Sequence, residues 1–165
     1  QVLLAAGADK EVRQYQLYTP LHLAAGDFEG NGHAAVVQVL LAAGANKEAW
    51  DHQNYTPLHL AANGGCEAAA TVLLAFGADK EVRSIRNQTP LHLSAAQGHE
   101  AVMQVLLASG ADVEARELNQ RTPLLLAAQY GHEAVVQVLL AGGADKEAMQ
   151  SQQCTPLHLA AAKGL

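Results

Sequence analysis

The stretch TPLLLAAQYGHEAVVQVLLAGGADKE, residues 122–147, decides the fold. Thr122 is a helix-capping residue, and Pro123 follows at the first helical position, where a missing N–H costs nothing. A short apolar helix then runs through Leu124, Leu126, Ala127 and Ala128. Gly131 ends it and permits a sharp reversal. A second helix spans about His132 to Ala141, with Val135, Val136, Val138, Leu139 and Leu140 forming a stripe wide enough to bury on two sides. Gly143 closes it, and a polar stretch leads to the next Thr-Pro.

This unit recurs. The threonines Thr19, Thr56, Thr89, Thr122 and Thr155 are spaced by 37 and then three times by 33 residues, and all five prolines share their phase. A fixed period of this size marks one supersecondary unit repeated in a row. Neither helix is long enough to be stable alone, so stacking between units supplies the stability. The repeats divide the chain at 1–13, 14–50, 51–83, 84–116, 117–149 and 150–165. The first and last pieces are partial, which implies a longer parent array. The unit at 14–50 carries four extra residues, with Asp27, Phe28 and Glu29 at the tip of a glycine-flanked loop.

Composition agrees with a packed array. The 165 residues are 50% apolar and 16% charged, with a net charge of −6. That excludes global disorder and argues against nonspecific binding to nucleic acid or an anionic membrane. No apolar run approaches a membrane span. The chain opens inside a repeat, with no secretory signal pattern. Cys66 and Cys154 lie three repeats apart, roughly 30 Å at a helix-packing advance of about 10 Å per repeat, too far to bridge. An intracellular protein, cytoplasmic or nuclear, is the expectation.

TPLHLAA, then GHEAVV, then LLAAGADKE resembles the ankyrin repeat, over essentially the whole chain. The resemblance implies an all-α solenoid, with an L-shaped helix pair per repeat, loops projecting as β-hairpins, and a curved stack with a concave binding face. Two departures matter. The glycine that the family places two residues before each Thr is replaced by Leu17, Asn54, Asn87, Gln120 and Gln153. Leu and Gln tolerate the left-handed conformation less well than Asn, so looser or differently turned tips are expected. Glu11, Glu48, Glu81, Glu114 and Glu147 stand where the family carries a hydroxylatable Asn, so that modification is not expected.

The chemistry-bearing residues read as structural. His22, His59, His92 and His158 share one phase, and His33, His99 and His132 another. Repetition at fixed phase points to one local job per unit, a hydrogen bond tying helix to loop. Leu125 and Cys66 interrupt the two series, which a repeated metal site would not tolerate. Most acids belong to the DKE segments or begin second helices (Glu67, Glu100, Glu133), and read as solvated surface. No phosphate-binding glycine loop or nucleophile framework is present, so no catalysis, cofactor or metal is expected.

The distinctive signal lies in the six residues before each Thr. All five arginines fall there, with four of the seven aromatic residues. Arg13, Trp50, Arg83, Arg116 and Met149 share one phase and are expected to form a row along the stack. Tyr15, Tyr18, His52, Tyr55, Ile85, Arg86, Leu118 and Arg121 flank it, and Tyr130 faces the same groove. Trp, Tyr and Arg dominate interface energies. The expected function is a monomeric, non-enzymatic scaffold that binds another protein or an extended peptide, an acidic one among the candidates. Two alternatives stand beside it: an array binding a nucleotide or oligonucleotide through the Arg and aromatic row, and a substrate-recruiting array within a larger enzyme.

Overall fold

The computed structural model describes residues 2–26 and 33–164. Residues 27–32, which carry the four-residue insertion, lie outside the described residues, as do Gln1 and Leu165. Ten α-helices are present among the described residues, and no strand. First helices of the repeats are α2 (Pro20–Ala25), α4 (Pro57–Gly64), α6 (Pro90–Gln97), α8 (Pro123–Tyr130) and α10 (Pro156–Ala162). Second helices are α3 (Ala34–Ala42), α5 (Glu67–Ala75), α7 (Glu100–Ala108) and α9 (Glu133–Ala141), preceded by the short α1 (Val2–Ala5).

The threonine of each repeat starts its helix as expected. Thr56, for example, is extended (φ −88°, ψ 168°) with Pro57 next in line. The reciprocal bond comes from histidine. The N–H of Thr56 donates to His59 Nδ1 at 3.2 Å, and its hydroxyl lies 3.1 Å from the same atom. Thr19 with His22 and Thr89 with His92 repeat the geometry. A capping box normally uses Glu at this position; here an imidazole does the work. In α8 Leu125 stands there, and only the Thr122 hydroxyl remains to accept, from the Leu125 N–H.

The interior first helices α4, α6 and α8 end on a left-handed glycine: Gly65, Gly98 and Gly131 have φ of 72°, 80° and 80°. Close approach makes a second demand at this position. A Cβ on Gly98 would come within 2.6 Å of His132 Nδ1, and one on Gly65 within 2.6 Å of His99 Nδ1. His99 and His132 therefore each lie on the glycine of the repeat before. From there His99 and His132 bond the Asn63 and Ala96 carbonyls through Nε2, each at 3.0 Å.

Stacking creates the core. First helices pack in sequence from α2 to α10, and second helices from α3 to α9. Leu58, Leu91 and Leu124 are fully buried in one layer, and Leu73, Leu106 and Leu139 in the other. Each such side chain contributes roughly 1.5–3 kcal/mol on burial. In α5, Ala69 and Ala70 are fully buried where α7 has Val102 and Met103, so this layer buries less surface per repeat. Cys66 takes the place of a glycine-following histidine and is also fully buried. Neither cysteine forms a disulfide.

Two hydrogen-bond ladders run along the stack. His22, His59 and His92 present Nε2 to the carbonyls of Tyr55, Gln88 and Arg121 in the next repeat, at 3.0, 3.0 and 3.2 Å. A backbone N–H can only donate and a carbonyl can only accept, so each ring is the neutral Nε2–H tautomer. The second ladder corrects the reading of the DKE acids as solvated surface. Glu11, Glu48, Glu81 and Glu114 accept the backbone N–H of Asn46, Asp79, Asp112 and Asp145, at 2.8, 2.9, 2.8 and 2.7 Å. Each partner lies one repeat on. The Asp or Asn two residues before the Glu accepts that Glu's own N–H, which fixes the turn. Charge at this phase is therefore an inter-repeat fastener.

Candidate functional site

The five loops before the threonines share one backbone hydrogen-bond pattern. The N–H of residues 14, 51, 84, 117 and 150 donates to the carbonyl four residues on, and a second bond closes the tip. Left-handed geometry is kept without glycine. Asn54, Asn87, Gln120 and Gln153 have φ of 57°, 61°, 61° and 60°. The expected loosening is therefore not seen in these four. A side-chain staple holds the backbone in place. Asp51 Oδ1 accepts the N–H of Gln53 and Tyr55; Ser84 Oγ accepts those of Arg86 and Gln88; Glu117 Oε1 accepts those of Asn119 and Arg121. The first loop differs, since both Gln16 (73°) and Leu17 (66°) are left-handed.

Neighbouring loops are joined by single backbone bonds. His52, Ile85, Leu118 and Ser151 donate to the carbonyls of Gln16, Gln53, Arg86 and Asn119. The implied β-hairpins are thus linked turns, with no strand among the described residues.

The predicted row is tethered in two stretches, Arg13 to Trp50 and Arg83 through Arg116 to Met149. Arg13 Nη1 donates to the Trp50 carbonyl at 3.0 Å, and its guanidinium lies over the indole, 5.2 Å from the ring centre. Arg83 Nη1 donates to the Arg116 carbonyl, and Arg116 Nη1 to the Met149 carbonyl, each at 2.9 Å. Each arginine therefore spans to the next repeat while part of its fork still faces outward.

The flanking residues divide into two groups. Exposed ones give every loop at least one large apolar side chain: Tyr15, Trp50, Ile85, Leu118 and Met149, the least exposed at 52%. His52 and Arg86 are exposed beside them, and the Arg86 guanidinium meets no hydrogen-bond or ion-pair partner among the described residues. Tyr130 is exposed at the end of α8, its ring 6.4 Å from that of His132. The second group turns inward. Tyr18 packs on His22, and Tyr55 on His59 with its hydroxyl donating to Gln88 Oε1 at 3.3 Å. Burial raises both phenols above their ordinary range. Arg121 is engaged in an ion pair, Nε to Glu117 Oε1 at 3.0 Å.

The electrostatics of the loops follow from which charges are buried. Asp51 and Glu117 are the only acids in these windows, and they are 0% and 2% exposed. Burial works to raise the Glu117 carboxyl, but the hydrogen bonds and charge of Arg121 hold it below the usual range. Asp51 Oδ2 has no hydrogen-bond partner. The exposed charge of the loops is thus cationic, on a chain whose net charge is −6.

Two cavities adjoin these elements. One, of about 550 Å³, is apolar and lies between α8, α9 and α10, against Leu124, Val136, Leu140 and Leu157. The other, of about 370 Å³, lies between the last two loops and is lined by Asn119, Arg121, Gln129, Gln150, Ser151, Gln152 and Leu159. Sequence reasoning missed this polar cavity. Its signal was Glu117 four residues before Arg121, a pair that needs a third group to use the remaining guanidinium donors. Among the described residues no cluster of three or more His, Cys, Asp or Glu could hold a metal, and no helix is long and apolar enough to cross a membrane.

A family model described as "Ankyrin repeats (3 copies)" matches residues 1–84, 29–117 and 91–165. No curated protein matches the chain.

Proposed function

The chain belongs to the ankyrin-repeat family, whose members are generally protein–protein interaction modules and typically not catalysts, and from that premise we propose that it binds a partner protein through its loop edge and the adjoining groove. One observation carries the proposal. Every loop exposes a large apolar side chain, the exposed charges among them are arginines, and the two acids are buried. Such a surface suits an acidic, extended segment that also carries aliphatic or aromatic side chains. Trp50 is the proposed anchor, at 52% exposure with Arg13 stacked on one face. Arg13, Arg83, Arg86 and Arg116 supply the field, while Tyr15, His52, Ile85, Leu118, Tyr130 and Met149 supply contact area. Tyr18, Tyr55 and Arg121 support the loops from within.

Binding of a nucleotide or oligonucleotide is the weaker reading. Tyr18, Tyr55 and Tyr130 already lie against histidine rings, and Trp50 against Arg13, which leaves few free faces for base stacking.

Selection of 16-residue peptides from a random display library against the immobilised chain tests the proposal. The expected peptides combine Asp or Glu with aliphatic or aromatic residues, and lose affinity when Trp50 is replaced by Ala. Lysine-rich peptides, or peptides indifferent to Trp50, contradict it.

A further inference from the structure

The polar cavity between the last two loops has a chemistry of its own. Its one charged side chain is already neutralised. Arg121 gives Nε to Glu117 Oε1 at 3.0 Å, and that carboxylate is 2% exposed. The cavity therefore offers hydrogen bonding without net charge, unlike the loop edge beside it.

Two carboxamides on its wall have their orientation fixed by what they touch. Arg121 Nη1 donates to Gln129 Oε1 at 3.1 Å. A guanidinium cannot accept, so the oxygen of Gln129 must point inward, leaving its NH₂ for the cavity. Asn119 is held the other way. Its Nδ2 donates to Glu117 Oε2 at 3.3 Å, and a carboxylate cannot donate, so Oδ1 is the free end. The two carboxamides thus contribute one defined donor group, Gln129 Nε2, and one defined acceptor, Asn119 Oδ1. Gln150 and Gln152 add further amides around the same space.

We propose that this cavity is a subsite for a side-chain carboxamide, a glutamine or asparagine of the partner protein. A carboxamide offers a carbonyl to Gln129 Nε2 and an NH₂ to Asn119 Oδ1, and it brings no charge. A carboxylate would set an oxygen against Asn119 Oδ1. An ammonium would set donors against Gln129 Nε2. An aliphatic side chain would leave both groups unpaired, which is costly where water is displaced. A volume of about 370 Å³ admits such a side chain. The inference rests on the interaction reading above and adds a residue type to it.

Peptide selection against the wild-type chain and against Gln129→Glu supplies the test. Glu at 129 keeps an oxygen for Arg121 and replaces the free donor by an acceptor. Far-UV circular dichroism and a thermal melt confirm that the variant folds. Against wild type, selected peptides should share a Gln or Asn at one fixed position. Changing it to Glu or Leu should weaken binding about tenfold or more, the scale of one uncompensated hydrogen bond. Against Gln129→Glu, the same peptides should lose about tenfold, and their Lys variants at that position should recover it. Peptides that dock on the loops with no fixed carboxamide, or whose carboxamide is indifferent to Gln129, overturn the inference and leave the interaction reading intact. Failure to recover any peptide removes both.

Discussion

Mild acid should unfold this protein through two histidines. His59 and His92 are fully buried, and burial pushes both from 6.5 down to about 4. Each ring accepts a threonine N–H at Nδ1, which a protonated ring cannot do. The folded state therefore holds these rings neutral, while the unfolded chain protonates them near 6.5. A depressed folded value means that the unfolded state binds more protons, so stability rises with pH. The contribution is complete above about pH 6.5 and is lost as pH falls toward 4. At pH 5 each ring has surrendered about 2 kcal/mol, and below pH 4 about 3 kcal/mol. Two rings together approach the whole stability of a typical domain, about 5–15 kcal/mol. His22, shifted in the same direction, adds to the effect.

Urea unfolding followed by circular dichroism at pH 7.5, 6 and 5, at constant ionic strength, measures the slope. The double variant His59→Leu/His92→Leu isolates its source, because Leu125 already occupies the same position in α8. The variant should start less stable at pH 7.5, having lost cap and inter-repeat bonds. Its loss between pH 7.5 and 5 should be smaller than that of the wild type by about 4 kcal/mol. Equal losses in the two proteins would refute the argument.

Three further outcomes follow from the packing. Gly98→Ala should cost at least about 2 kcal/mol, from the left-handed strain and from a Cβ set against the His132 ring, whereas Gly143→Ala, with nothing within 4 Å of the added atom, should cost only about 1–2 kcal/mol; urea midpoints of the pair show the gap. Glu81→Ala should cost about 1 kcal/mol by orphaning the Asp112 N–H, a loss that a surface acid without a partner would not show. The repeat built on α5 should exchange its amide hydrogens faster than those on α7 and α9, because Ala69 and Ala70 bury less than Val102 and Met103. Finding it the most protected repeat would reverse that argument.

The fold was legible because every level of the sequence repeats it. Thr-Pro starts, glycine stops and aliphatic stripes recur at one period, so one reading is tested five times over. The structural role of the histidines, a hydrogen bond tying helix to loop, was legible for the same reason. Less was legible where a residue's job depends on the next repeat. Glu48 and Glu81 look like surface charges in sequence, yet each caps an N–H about thirty residues away. Gln120 and Gln153 look unsuited to a left-handed tip, but the closing backbone bonds hold the turn whatever the side chain. The arginine row was visible as a phase, while its tethering to neighbouring carbonyls was not. That tethering changes the choice of probe. Reversing Arg83 or Arg116 breaks an inter-repeat bond, so Arg86, whose guanidinium has no such partner among the described residues, is the cleaner site for charge reversal.

The central claim is that the loop edge is the recognition surface, and an affinity scan tests it most directly. The wild type, Trp50→Ala, Arg86→Glu, Glu67→Ala and Glu133→Ala are titrated against one selected acidic peptide at two salt concentrations, with thermal melts confirming that each variant folds. Trp50→Ala should lose at least about 2 kcal/mol of binding with little change in stability, since Arg13 bonds the Trp50 main chain and keeps that bond. Arg86→Glu should weaken association and flatten its salt dependence. Glu67 and Glu133, which begin second helices, should be nearly silent. Loss of binding at Glu67 and Glu133, with Trp50 and Arg86 silent, would place the recognition surface on the second helices and contradict the account.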